Sequence, residues 1–346
     1  MGALRIGTRA SALALAQTQS VADRLADGGR EPPEIVTLTT SGDRDEAGAG
    51  AGSGPGDKSR WVDTIEDALL TGEIDLAVHS AKDLPGELVT GLTLLGAPPR
   101  AGVEDVLCFA GEPATGGADD NRDGRGISDD PGAAGGSGVT DASAGLDRLP
   151  EGARIGTSSV RRAAQLRAAR ADLDVVAIGG NVDTRLRLLA EGRFDAIVLA
   201  RAGLQRLGRE HEIGAVLDPA RFVPAPGQGA LALEARAEDA RAAGAVVAIL
   251  DADTSACLQA ERALALALDA TCHTPLGAHA QPAGCGCLGL RAWVGLPDGS
   301  AWVADELLGG FYDPTELGAR VAERMSAVGA RALLARAEEM ASVAGA

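Results

Sequence analysis

One arrangement occurs twice in this chain and restricts its fold more than any other feature. Arg5–Thr8 and Arg154–Thr157 both read Arg-Ile-Gly-Thr, and each is followed by hydroxyl residues, arginines and an Ala/Leu/Arg-rich stretch. A short β-branched run that closes on Gly-Thr and passes into a helix opens a βαβ unit. From the first copy the alternation continues through EIVTLTT, WVDTIEDALL and DLAVHS; from the second, through DVVAI, VDTRLRLLAEG and DAIVLA. Such alternation predicts two similar α/β domains, each a parallel sheet covered on both faces. After FVPAPGQGALALEAR the pattern changes. A helix DADTSACLQAERALALALDA, the polar turn TCHTPLGAHA, a hairpin in CGCLGLRAWVGLPDGSAWVADEL and a closing helix from Pro314 to about Ala341 predict a small α+β domain.

Two Gly-rich segments interrupt this scheme. Residues 111–147 hold eight acids, two arginines and many glycines, too little apolar surface to order themselves, so they read as a solvated, mobile and dispensable insertion. The stretch GDRDEAGAGAGSGPGDKSR has the character of a lid-like loop and ends in Lys58 and Arg60, just before Trp61.

The formal net charge is −17, from 49 acids and 32 bases, and only Lys58 and Lys82 are lysine. An acidic, lysine-poor surface stays soluble in high salt, where screening removes self-repulsion, so a salt-adapted host is expected. The same field repels phosphate backbones and argues against a nucleic-acid partner. No signal pattern opens the sequence and no apolar run is long enough to span a bilayer, which makes a cytoplasmic location and no membrane partner the expectation. Hydrophobic residues make up 45% of the chain but aromatics only 2%, so the cores should be aliphatic. The five cysteines, at irregular spacing, make no disulfide framework. Cys285 and Cys287 lack two further ligands at zinc spacing, and no metal is assigned. Cys108 and Cys257 sit in apolar runs and read as packed side chains; Cys272, in its polar turn, is the candidate nucleophile or attachment point.

In open α/β sheets, ligands gather beyond the carboxyl ends of strands, where helix N-termini present free N–H groups to anions. Arg9 and Ser11 after the first Gly-Thr, and Thr157, Ser158, Ser159, Arg161 and Arg162 around the second, would meet carboxylates or phosphates there. Arginine suits carboxylates through its two-pronged fork. For Ser11 and Ser158 a plain helix-capping role stays open. In DLAVHSAKDLP, Asp83 beside Lys82 is placed to act as a general acid or base or to stabilise a cation, against the alternative of a surface turn before Pro85.

Taken in order, GTRASALALAQ, DKSRWVDTIEDALL, AVHSAKDLP, GTSSVRRAAQL, GNVDTRL, DAIVLARAGLQRLG, PAPGQGALALE, ERALALAL and TCHTPLGA resemble the porphobilinogen deaminase (hydroxymethylbilane synthase) family over nearly the whole chain apart from the insertion. The resemblance implies two domains like the lobes of type II periplasmic binding proteins. Domain 1 would comprise 1–98 and 226–247, domain 2 99–225, and a small α+β domain 3 248–346. It implies a dipyrromethane cofactor held by a thioether to Cys272. It further implies an enzyme, a transferase of tetrapyrrole biosynthesis, that condenses four porphobilinogens head to tail with release of ammonia and then frees hydroxymethylbilane. Asp83 matches the catalytic aspartate, expected to assist ammonia departure and steady the cationic azafulvene. Lys82, Ser11, Thr157, Ser158, Ser159, Arg161, Arg162, Asn181 and Arg185 match cofactor contacts, and Arg9, Arg206 and Gln228 substrate contacts. Lys58 and Trp61 match a loop lysine and a covering aromatic. The resemblance favours a monomer. Gly179 stands where the family carries an arginine, a gap that Arg201 or Arg60 would have to fill. A two-lobed anion receptor without catalysis is the competing reading, and it needs neither Cys272 nor a third domain.

Overall fold

The computed structural model describes residues 3–27, 31–39, 62–111, 145–271, 274–284 and 286–344. The chain begins with β1 (Arg5–Arg9), α1 (Ala12–Asp27), β2 (Glu34–Leu38), α2 (Asp63–Leu70), β3 (Leu76–Ser80) and β4 (Leu92–Gly96). A second run follows: β5 (Asp105–Phe109), β6 (Arg154–Gly156), α3 (Val160–Ala169), β7 (Asp174–Val176), α4 (Val182–Ala190), β8 (Ala196–Ala200), α5 (Arg201–Arg206) and β9 (Ala215–Val216). Then come β10 (Leu231–Arg236), α6 (Ala240–Val246), α7 (Ala252–Ala267), β11 (Leu276–Pro282), β12 (Cys287–Gly295), β13 (Trp302–Gly310), α8 (Pro314–Ala327) and α9 (Ala330–Ala344).

These strands form three sheets, ordered β2-β1-β3-β10-β4, β7-β6-β8-β5-β9 and β11-β12-β13. In the first two sheets the initial three strands are parallel, as expected, but the fourth is not. β10 runs antiparallel between β3 and β4, and β5 antiparallel between β8 and β9. The departure from all-parallel sheets follows from connectivity. After β4 the chain crosses to the second sheet and enters it as β5; after β9 it returns and enters the first sheet as β10. Each of these sheets therefore takes its antiparallel strand directly from a crossing out of the other sheet, and the residues at those crossings lie between the two.

The repeated Arg-Ile-Gly-Thr has a packing explanation. Ile6 and Ile155 are fully buried in their sheets. A Cβ on Gly7 would stand 2.3 Å from Ile74 Cδ1, and one on Gly156 3.1 Å from Ile197 and Phe194 side-chain carbons, so glycine lets the chain at the start of the neighbouring strand, β3 or β8, press onto it. Thr8 is buried and its hydroxyl donates to the Ala14 carbonyl at 3.2 Å, tying the strand end to α1. The cores are aliphatic: Val21, Leu25, Leu76 and Leu233 on one face of the first sheet, Ile65, Leu69 and Ile74 on the other. In the third module α7 and α8 pack Leu264, Leu317 and Val321 against Leu288 and Leu290. The closing helix is two helices rather than one. Gly329, at φ +102°, ends α8 in a conformation other residues rarely adopt, and α9 restarts at Ala330.

Candidate functional site

A cavity of about 530 Å³ opens where the three sheets meet. The turn after β3 contributes Lys82, Asp83 and Gly86; the N-terminus of α3 contributes Ser158, Ser159, Arg161 and Arg162; α4 contributes Arg185. Gln228 precedes β10, while Arg262 on α7, Thr271 and Thr274 close the wall from the third module. Among the described lining residues there are five cations, Lys82, Arg161, Arg162, Arg185 and Arg262, and one carboxylate, Asp83. In a chain of net charge −17 that local excess of positive charge marks a site for polyanions. A side chamber of about 80 Å³, lined by Arg9, Ser11, His79 and Ser80, also reaches Asp83.

The two adjacent arginines are held differently from the expectation that they simply face a ligand. Arg161 is 3% and Arg162 7% exposed, and both pair with a buried acid, Asp105 at the start of β5, each at 2.8 Å. Gln228 joins them, donating to Asp105 Oδ1 at 2.9 Å and to the Val103 carbonyl at 2.7 Å. Arg161 also donates to the Val223 carbonyl at 2.8 Å and Arg162 to that of Val198 at 3.0 Å. Burial alone would raise the Asp105 carboxyl, but the two guanidinium groups and the Gln228 hydrogen bond hold it well below the usual carboxylate range. Burial lowers Arg161 from its ordinary value, and Asp105 opposes that. Arg161 Nε is buried with no hydrogen-bond partner among the described residues.

Lys82 is only partly exposed yet lines the cavity. Burial lowers its ammonium to about 8, with Asp83 acting to raise it and Arg162 to lower it. Thr157 is buried and accepts from the Ser159 amide at 3.2 Å. Ser158 donates through its hydroxyl to the Ile178 carbonyl, and Ser159 caps α3 by accepting from the Arg162 amide at 3.4 Å. Ser11 does the same for α1 through the Ala14 amide at 3.3 Å. The capping role therefore falls to Ser159 and Ser11, while Ser158 is not a cap. Arg185 donates from Nε to the Gly180 carbonyl at 2.7 Å, at the cavity wall.

Three of the expected contacts, Thr157, Asn181 and Arg206, line neither cavity. Asn181 is the exposed N-cap of α4, accepting from the Thr184 amide at 3.0 Å. Arg206 ends α5, donates to the Gly229 carbonyl at 2.7 Å and is lowered to about 10 by burial. Arg201 does not fill the Gly179 gap, because its guanidinium is committed to Glu104 at 3.0 Å. A Cβ at Gly179 would meet nothing within 4 Å. Cys272, Lys58, Arg60 and Trp61 lie outside the described residues, as do 112–144 of the insertion. Thr271 and Thr274, either side of the 272–273 pair, line the large cavity.

Three residues that build the site went unnoticed in the sequence. Asp105 is an acid opening the otherwise apolar strand DVLCF. Glu261, fully buried on α7, takes a two-pronged pair from Arg100 at 2.7 and 3.0 Å, accepts from the Gly227 amide at 2.6 Å and from the Ala280 amide at 2.8 Å. Arg262 reaches from α7 to the Pro85 and Gly86 carbonyls at 3.0 and 2.7 Å. An acid within an apolar strand or an Ala/Leu helix was the available signal for the first two; nothing distinguished Arg262 from a solvated helix arginine.

Known proteins resemble this chain from end to end. Residues 4–244 match the family model described as porphobilinogen deaminase, dipyromethane cofactor binding domain, and residues 255–327 the model for the porphobilinogen deaminase C-terminal domain. A porphobilinogen deaminase from Deinococcus deserti is 42% identical over 345 residues, covering 98% of this chain and 100% of the relative. The protein of that name from Deinococcus radiodurans is 41% identical, covering 98% and 100%, and that from Brevibacillus brevis 39% identical, covering 97% of each. Among solved structures, a periplasmic aliphatic sulphonate binding protein from Escherichia coli is similar with a TM-score of 0.38 at 15% identity, over 77% of this chain and 70% of that one. A periplasmic substrate-binding protein of an ABC transporter from Coxiella burnetii gives 0.37 at 14% identity, over 71% and 91%. The family models cover both α/β sheets and most of the third module, and the chain belongs to the porphobilinogen deaminase family.

Proposed function

We propose that this protein joins four porphobilinogens head to tail on a dipyrromethane primer, with loss of ammonia at each addition, and then releases hydroxymethylbilane. It is a transferase of tetrapyrrole synthesis. One observation carries the reading: among the described lining residues, one carboxylate, Asp83, stands among five cations and the hydroxyls of Ser158 and Ser159, in a cavity that includes Thr271 and Thr274. Each pyrrole ring of substrate and cofactor bears an acetate and a propionate, so cations lining one wall and a carboxylate at the reacting end are the chemistry required. The residues present fit a dipyrromethane on Cys272: the cavity is of small-ligand size, the flanking threonines line it, and five cations stand on its described wall. Lys82, Ser158, Ser159, Arg161, Arg162 and Arg185 would hold its carboxylates. Thr157 and Asn181 would act indirectly, by fixing the α3 and α4 N-termini. Bound there, the group supplies the electron-rich ring carbon at which the first coupling occurs.

Asp83 stabilises the positive charge that develops on porphobilinogen as the C–N bond breaks, and accepts the ring proton once the new C–C bond has formed. Lys82 and the arginines orient the substrate's carboxylates. Arg9 and Ser11 do so from the side chamber. Arg206 and Gln228 act from behind, Gln228 by fixing Asp105 and Arg206 by holding the Gly229 turn. Lys58 and Trp61 would cover the site. The domain limits proposed are 1–98 with 226–247, 99–225 and 248–346; the β10 return and the three sheets support them. A monomer in the cytoplasm of a salt-adapted host, with no nucleic-acid or membrane partner, completes the proposal. The charge of −17 supports the salt-adapted host and the exclusion of a nucleic-acid partner; among the described residues no helix is long and apolar enough to cross a membrane.

Turnover of porphobilinogen by Asp83→Asn tests the reading. Formation of the linear tetrapyrrole should fall by about 10²- to 10⁴-fold with the cofactor still attached; full activity would remove Asp83 from the reaction.

A further inference from the structure

Behind Asp83 lies a second set of titratable groups that this mechanism does not use. His79, near the end of β3, places Nε2 3.0 Å from Glu234 Oε2 on β10. The two residues are 6% and 0% exposed. Glu66 of α2 is buried beside them, and burial raises its carboxyl, reinforced by Glu234. Oε1 of Glu234 and Oε1 of Glu66 are buried with no hydrogen-bond partner among the described residues. His79 lines the side chamber of about 80 Å³ together with Arg9 and Asp83, and Asp83 is the residue that this chamber shares with the large cavity. The chamber has room for a water molecule between polar walls. Glu234 of β10 pairs with the imidazole, Glu66 of α2 lies near both, Arg9 of β1 and Asp83 of the turn after β3 line the same chamber, and Arg262 of α7 acts on Glu234.

We infer that the His79–Glu234 pair receives, through the side chamber, the proton that Asp83 removes from the ring, and holds it until ammonia carries it away. The inference rests on the deaminase reading. In each addition porphobilinogen enters as an alkylammonium ion; its C–N bond breaks with the electron pair leaving on nitrogen as ammonia. A C–C bond forms, and the C–H bond of the attacked ring breaks, its proton passing to Asp83. From Asp83 the proton moves to the His79 imidazole, where Glu234 balances the new charge, and it departs with the ammonia as ammonium. One proton enters and one leaves per cycle, and Asp83 is returned ionised for the next. His79 and Glu234 touch neither substrate nor cofactor; they act through Asp83.

The test uses the cofactor-loaded full chain with porphobilinogen as substrate. His79→Ala should lower the elongation rate by about 100-fold with KM within twofold, and added imidazole should restore part of the loss. Glu234→Gln, nearly the same shape, should lower the rate with KM unchanged and enlarge the solvent deuterium isotope effect, because proton transfer becomes slow. An unchanged isotope effect in Glu234→Gln, or a rate loss in His79→Ala that imidazole does not repair, would make the pair a structural tie between β3 and β10. Should His79→Ala not fold, the isotope effect in Glu234→Gln decides alone. Failure of the unaltered protein to consume porphobilinogen would overturn the deaminase reading itself, a separate result.

Discussion

Lys82 and Asp105 show how single residues set the chemistry of the cavity. The Lys82 ammonium is lowered to about 8 by burial, so the wall loses a charge as the pH rises through that value. Carboxylate binding should weaken accordingly: KM for porphobilinogen is expected to rise above pH 8, and Lys82→Arg should flatten that rise. The sign for stability is opposite. An unfolded lysine keeps its proton to about 10.5, so above pH 8 the folded state binds fewer protons than the unfolded one, and this residue's contribution improves with pH across that window. Asp105 behaves in the other direction. Its folded value is depressed by Arg161 and Arg162, so its stabilisation is present above the ordinary carboxylate range and is lost as pH falls through the folded value. Asp105→Asn leaves two buried guanidinium groups without their counter-charge and should cost about 3–5 kcal/mol, read as a lower urea midpoint at pH 7 and a flatter acid limb. Cys108 and Cys257, both raised to about 12 by burial, are packed thiols, as their apolar surroundings implied.

At the scale of elements, the site depends on turns that bring separate strands together. Gly227, in the turn before β10, adopts φ +73°, and a Cβ there would stand 2.9 Å from the Ala81 carbonyl carbon and 3.0 Å from the Lys82 nitrogen. Gly227→Ala should therefore push the Lys82–Asp83 turn outward. The expected result is about 1–3 kcal/mol of destabilisation, measured by thermal melting, with turnover falling further than stability explains. Gly179 offers the contrast, since the space beside it is open. Gly179→Arg should change stability by less than about 0.5 kcal/mol, so any gain in the retention of intermediates reports on the added cation. Much of this architecture was legible because local pattern and tertiary role agree: the two Arg-Ile-Gly-Thr strands, the alternation after each, and Asp83 at a strand end all follow from short-range sequence. The antiparallel β5 and β10 were not legible, because nothing within VLCF or ALALEAR records which sheet a strand enters. The Asp105 cluster escaped for the same reason: its partners lie 56 and 57 residues away, and the pairing exists only once β5 has crossed over. Asn181 caps α4 and Arg206 donates to the Gly229 carbonyl, roles that leave the same trace in sequence as ligand binding.

The whole molecule places a cationic cavity inside a strongly acidic protein. With a net charge of −17, self-repulsion opposes the compact state at low ionic strength, and salt relieves it. The unfolding midpoint should rise steadily as potassium chloride is added from millimolar to molar levels; a midpoint indifferent to salt would remove the argument for a salt-adapted host. Around the cavity, Glu261 ties Arg100, the Gly227 turn and β11 into one buried knot, and Arg262 beside it holds the carbonyls that follow the aspartate turn, so α7 joins that turn to β11. That arrangement makes sense if a tethered polyacid is extended between them. Intact-mass measurement of the purified protein, before and after addition of porphobilinogen, tests this most directly. The account predicts a mass exceeding the sequence by one dipyrromethane, absent in Cys272→Ala, and a ladder of single-pyrrole increments on adding substrate. A mass equal to the bare sequence, with no increments and no linear tetrapyrrole formed, would contradict it.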